Sequence, residues 1–113
     1  MSLQASSREI GGVIVIDLDG RITLGDGSAL LRDLIHEHLD KGHKKLVLNL
    51  AAISYLDSTG LGEMVSGYRA VKSQGGELKL LNLNKKVSDL LQVTKLYTVF
   101  DIHNDETEAV ASF

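Results

Sequence analysis

Two hydrophobic rhythms divide the chain. Val13-Ile14-Val15-Ile16-Asp17-Leu18 and Leu46-Val47-Leu48-Asn49-Leu50 are short and almost continuously apolar, as strands covered on both faces are. Glu77–Leu83 reads as a third strand of this kind through Leu78, Leu80, Leu81 and Leu83. Two longer segments instead space their apolar residues by three and four, as one face of a helix does. Residues 28–41 carry Leu31, Leu34, Ile35 and Leu39, with Leu30 near the edge of the stripe, and Gly42 follows as a stop. Residues 58–73 carry Leu61, Met64, Val65, Tyr68 and Val71, and end before Gly75-Gly76.

The weaker patterns fill in around these. Residues 3–9 read as an edge strand, joined through Gly11-Gly12 as an antiparallel hairpin to Val13–Leu18. Residues 20–27, Gly20-Arg21-Ile22-Thr23-Leu24-Gly25-Asp26-Gly27, read as a loop, with Asp26 or Ser28 available to cap the helix that follows. Asn82 or Asn84 can cap a shorter helix over 85–93, whose stripe is Val87, Leu90, Leu91 and Thr94. Val99–Ile102 reads as a last short strand. Asn104 or Asp105 then caps a closing helix that turns Ala109, Val110 and Phe113 inward. The order β-β-α-β-α-β-α-β-α predicts an α/β fold over residues 1–113 as a single domain. Its central sheet should be mostly parallel, with about five strands (the first antiparallel) and about four helices.

Composition narrows the function more than the fold. With no cysteine among 113 residues, disulfides and thiolate metal sites are excluded. Net charge is −3, and the densest basic groups are Lys41, Lys44, Lys45 and the pair Lys85-Lys86. That is no nucleic-acid footprint, and an aromatic content of 4% leaves no stacking platform. No apolar run approaches the ~20 residues of a membrane span, and Met1–Arg8 has no signal-peptide core. A cytoplasmic protein without membrane insertion is expected. His36, His38, His43 and His103 show no zinc-ligand spacing, so neither metal nor cofactor is expected. Gly60 and Gly62 lack the third glycine of a dinucleotide loop, and Leu56–Gly60 is not a Gly-x-Ser-x-Gly elbow.

The chemistry concentrates in Tyr55-Leu56-Asp57-Ser58-Thr59-Gly60-Leu61-Gly62, where a strand ends and a helix begins. In α/β domains function gathers at such junctions. The helix start offers unpaired N–H groups and a positive dipole end. Ser58 can cap the helix, or it can carry a phosphate that the helix end favours. Asp57 has no second acid in a catalytic arrangement; it can orient the Ser58 hydroxyl or cap the helix.

The string Asp57-Ser58-Thr59-Gly60-Leu61-Gly62, after a strand ending Asn49-Leu50, resembles the STAS domain of bacterial anti-sigma factor antagonists. Val15–Ile22, the Gly75-Gly76 turn before Glu77-Leu78-Lys79-Leu80, and Val87…Leu90-Leu91…Thr94…Leu96 fit the same family order, so the resemblance covers nearly the whole chain. It implies a partner-switching regulator and not an enzyme. The unphosphorylated form would bind an anti-sigma factor serine kinase, which supplies the ATP, and so release a sigma factor. The kinase would phosphorylate Ser58, with Thr59 as the alternative acceptor and otherwise a capping residue, and a PP2C-type phosphatase would reverse the step. Partner contact is implied for Asp57, Ser58, Thr59, Gly60 and Leu61, and for Thr23, Gly25 and Asp26 in the preceding loop. Two departures stand out: Lys85-Lys86 follows Asn84 where many members have proline, and the loop contains Gly25-Asp26-Gly27. An alternative function is a non-phosphorylated STAS scaffold within a lipid-transport or signalling assembly.

Overall fold

The apolar runs become the centre of one sheet. The computed structural model describes residues 3–113. In chain order its elements are β1 (Leu3–Ile10), β2 (Val13–Ile22), α1 (Asp26–Asp40), β3 (Lys45–Leu56), α2 (Ser58–Ser73), β4 (Glu77–Leu81), α3 (Lys85–Val93), a 3-10 turn (Leu96–Thr98), β5 (Asp101–His103) and α4 (Glu106–Ala111). The strands lie side by side in the order β1-β2-β3-β4-β5. β1 is antiparallel to β2, and every other pair is parallel.

Alternation across the pleat sends successive side chains to opposite faces. Ile14, Ile16 and Leu18 of β2, Leu46, Leu48 and Leu50 of β3, and Leu78 and Leu80 of β4 form the main core. Leu31, Ile35 and Leu39 of α1, Met64 and Val71 of α2, and Val87 and Leu91 of α3 pack against them. Val13, Val15, Val47 and Leu81 make a smaller cluster with Ala109 of α4, flanked by Ile10, Val110 and Phe113. Lys79, only 5% exposed, holds the end of α4. Its Nζ donates to Asp101 at 2.8 Å and to the Ser112 hydroxyl at 2.8 Å, and lies 4.7 Å from the Phe113 ring centre. At the other end of α4, Arg8 bridges Asp17 and Glu106, each at 2.6 Å.

Several boundaries differ from the sequence expectations. β2 does not stop at Leu18, nor β3 at Leu50: both continue, with β1 flanking β2 as far as Gly20, and end as a two-strand arm in which Arg21 pairs with Tyr55 and Ile22 with Leu56. The continuous apolar run ends because the arm is covered less completely. β4 reaches only Asn49 on β3, so Ile53 and Leu56 are buried while Ala51, Ala52, Ser54 and Tyr55 are exposed. β4 ends at Leu81, not Leu83, where Asn82 takes a left-handed φ of 60°. β5 is Asp101–His103, not Val99–Ile102. Phe100 leaves the sheet to pack edge-on against Tyr68, ring centres 5.4 Å apart.

Helix entries are also resolved. α1 starts at Asp26 with Gly25 as N-cap, and neither Asp26 nor Ser28 supplies a cap bond; the Ser28 hydroxyl donates back to the Gly25 carbonyl instead. Asn84 caps α3 through the Val87 amide, and Asp105 caps α4 through the Thr107 amide.

Candidate functional site

The β2–β3 arm sets the position of the Asp57–Gly62 stretch. The Asp57 amide donates to the Ile22 carbonyl at 3.3 Å, continuing the pairing past the last strand residue. The chain then turns directly into α2, and Leu61 N–H closes the first helical turn on the Asp57 carbonyl at 2.9 Å. So tight an entry requires Gly60. A Cβ there would stand 2.1 Å from the Ile22 carbonyl oxygen, so this turn of α2 lies directly on the β2 backbone.

Asp57 is the N-cap of α2. One carboxylate oxygen accepts the Gly60 amide at 2.8 Å, and the other accepts the Leu24 amide at 2.9 Å. The Gly60 and then the Leu24 amide hold the carboxyl below the ordinary aspartate range, so it is firmly ionised. Of the two roles expected of Asp57, the structure shows the helix cap and not the orienting of the Ser58 hydroxyl, because both of its oxygens serve backbone N–H groups. It also corrects Thr59 as a capping residue, because the cap bond comes from Asp57.

Ser58 is therefore free of the structural duty its residue type allows. It is the first residue of α2, exposed, and its hydroxyl makes no hydrogen bond among the described residues. Thr59 is half-buried and Gly60 buried. Leu61, at 7% exposed, belongs mostly to the core. A shallow groove of ≈ 370 Å³ begins at Ser58 and follows α2 past Leu61 and Val65 to Arg69, with Leu96 as its far wall.

The Leu24–Asp57 bond brings the β2–α1 loop to the same place. Thr23 is half-buried and its carbonyl accepts the Ser28 amide at 3.0 Å; Gly25 has φ 101°, and Asp26 is exposed. The two predicted groups, Thr23, Gly25, Asp26 and Asp57 to Leu61, thus converge at one end of the sheet. Sequence reading passed over Leu24, which is 77% exposed. Its signal was available: it is the one large apolar residue between Thr23 and the helix stripe of α1. The far wall at Leu96, 38 residues beyond Ser58 in sequence, gave no such signal.

Chemically, the site offers an unengaged hydroxyl at the positive end of a sixteen-residue helix, beside a carboxylate already committed elsewhere. A phosphate there would meet the favourable helix end and the unfavourable charge of Asp57 together. Among the described residues no three His, Asp or Glu side chains are grouped to hold a metal ion. No helix of the described chain is long and apolar enough to cross a membrane.

Known proteins share both sequence and fold with this chain. The family model described as the STAS domain matches residues 4–109. An anti-sigma-B factor antagonist from Bacillus subtilis is 32% identical over 102 residues, covering 90% of this chain and 92% of that protein. An anti-sigma F factor antagonist from Paenibacillus polymyxa is 27% identical over 97% of this chain and 94% of its own length. Among solved structures, an anti-sigma factor antagonist from Mycobacterium paratuberculosis superposes with a TM-score of 0.86 at 20% identity, covering 98% of this chain and 93% of that one.

Proposed function

The chain belongs to the STAS domain family, and from that premise we propose that residues 1–113 act as a single-domain, cytoplasmic anti-sigma factor antagonist switched by phosphorylation of Ser58. The unphosphorylated form binds a serine-kinase anti-sigma factor and frees the sigma factor held there. The kinase supplies the ATP and transfers phosphate to Ser58, and a PP2C-type phosphatase removes it. The relatives named as antagonists of anti-sigma factors support the partner class.

The observation that carries the switch is the division of labour between Asp57 and Ser58. Asp57 caps the helix and ties down the loop, while the Ser58 hydroxyl is exposed and unengaged. Phosphorylation therefore breaks no bond that holds the fold. It moves net charge from −3 toward about −5 at one point of the surface. An interface fitted to a neutral hydroxyl loses affinity when that group must be desolvated with its new charge. Fold and binding respond separately, as reversible partner exchange requires.

The test is incubation of the purified chain with the serine-kinase anti-sigma factors of its own source and ATP, read by intact-mass and peptide mass spectrometry. One phosphate on Ser58, absent in Ser58→Ala, is expected. A complex with the kinase should survive in Ser58→Ala and be lost in Ser58→Asp. No phosphate, or phosphate on Thr59 alone, refutes the Ser58 switch, and undiminished binding by Ser58→Asp refutes its direction.

A further inference from the structure

An exposed leucine on a loop is usually mobile, but Leu24 is held from three directions. Its own amide donates to Asp57 at 2.9 Å. On one side the Thr23 carbonyl accepts the Ser28 amide at 3.0 Å. On the other, the Gly25 carbonyl accepts the Ala29 amide at 3.1 Å and the Ser28 hydroxyl at 3.2 Å. The backbone is fixed, yet the side chain is 77% exposed and sits on the loop tied to the residue preceding Ser58. Two carboxylates flank it, Asp26 next but one in the chain and Asp57 against its amide. Neither has a cationic side-chain partner among the described residues.

We propose that Leu24 is a preorganised docking anchor that enters an apolar socket rimmed by Lys or Arg on the anti-sigma factor, with Asp57 as the positioning residue that presents it. The inference rests on the functional reading above and extends it to the partner's chemistry. Rigid presentation lowers the ordering cost of binding. An apolar anchor surrounded by charged rim contacts is how interfaces concentrate their affinity. Asp26 and Asp57 carry negative charge that no cationic side chain among the described residues neutralises, and this gives the socket its sign, because a like-charged rim would be repelled. The anchor is tied to Asp57, the residue before Ser58, where the groove along α2 begins, so one partner surface can reach both.

The probe is the unphosphorylated full chain titrated calorimetrically into each serine-kinase anti-sigma factor of its source. Wild type is compared with Leu24→Ala, Asp57→Ala, and Val93→Ala as a control at a residue 82% exposed at the end of α3. Leu24→Ala should weaken binding by about tenfold or more and leave the Leu24 and Gly60 amides as protected from hydrogen exchange as in wild type. Asp57→Ala should weaken binding together with loss of that protection, and Val93→Ala should bind as wild type. If wild type binds and Leu24→Ala stays within about twofold of it, the anchor is refuted while the switch reading stands. If wild type binds none of these proteins, the switch reading falls and the anchor with it. A wild-type homodimer in sedimentation that Leu24→Ala dissolves would assign the leucine to a second copy of this chain, and would overturn the proposal.

Discussion

Gly60→Ala and Gly62→Ala make the same chemical change two residues apart in α2, with opposite consequences expected. At Gly62 an added methyl meets nothing within 4 Å. Replacing an exposed helical glycine by alanine stabilises by about 1 kcal/mol, so Tm should rise by about 4 °C for a chain of this size. At Gly60 the methyl would lie 2.1 Å from the Ile22 carbonyl oxygen, 2.8 Å from its carbon and 2.8 Å from the Ile22 Cγ2. Comfortable carbon contacts begin near ~3.5 Å, so the first turn of α2 must move out by about 1 Å or more. Two of the three obstructing atoms are backbone and cannot rotate away. Overpacking of this kind costs up to about 3 kcal/mol, and the propensity gain of about 1 kcal/mol leaves a net loss of about 2 kcal/mol. Tm should fall by about 8 °C. Urea titration and calorimetry on both variants, with unchanged m-values, measure the pair. The displaced turn carries Ser58, so under the proposed switch Gly60→Ala should also slow phosphate transfer to it. Equal stabilisation by the two substitutions would refute the close approach of α2 to β2 on which the geometry of the site depends.

Two further predictions concern groups away from the site. His38 is buried at 8% exposure, bonds Ser7 through Nε2 at 3.0 Å, and leaves Nδ1 without a partner. Burial, then the neighbouring His43 and Lys41, lower its pKa, and Glu37 opposes them only weakly. The unfolded chain therefore takes up a proton at about pH 6.5 that the folded chain refuses. Stability should fall as pH drops from about 6.5 toward the lower folded value, and His38→Leu should flatten that slope in pH-dependent urea titrations; an unchanged slope would refute the assignment. Lys79→Met keeps the packing of the side-chain stem but removes the bonds to Asp101 and Ser112. We expect a loss of about 1–3 kcal/mol, with faster amide exchange confined to α4, and phosphorylation of Ser58 at the wild-type rate.

The elements most legible in the sequence were those packed on both faces or along a full stripe. Val13–Leu18 and Leu46–Leu50 announce themselves because two layers demand apolar residues at all but one position of each, Asp17 and Asn49 being the exceptions. The β2–β3 arm was missed because β1 flanks β2 only as far as Gly20 and β4 flanks β3 only as far as Asn49, so burial falls to Ile22, Ile53 and Leu56. A register shift between Asp17 and Asp19 further hides its period. At the site, the string Asp57–Gly62 was visible, but its internal roles were not. Asp, Ser and Thr all cap helices well, and only the extended backbone of Asp57, at φ −96°, decides which of them does. The bond from Leu24 to Asp57 spans 33 residues, and no local pattern encodes it.

The spatial order of the strands has its own consequence. In doubly wound α/β sheets the strand order reverses, and the helices on either side of the reversal part to leave a ligand-binding crevice at the carboxyl ends of the strands. Here the order β1-β2-β3-β4-β5 never reverses. α1, α2 and α3 all pack against the same face, and only α4 covers the other. The sheet therefore has no switch point at which its helices part to open a cleft. The start of α2 instead offers the Ser58 hydroxyl on an open surface, beside a shallow groove and not inside a crevice.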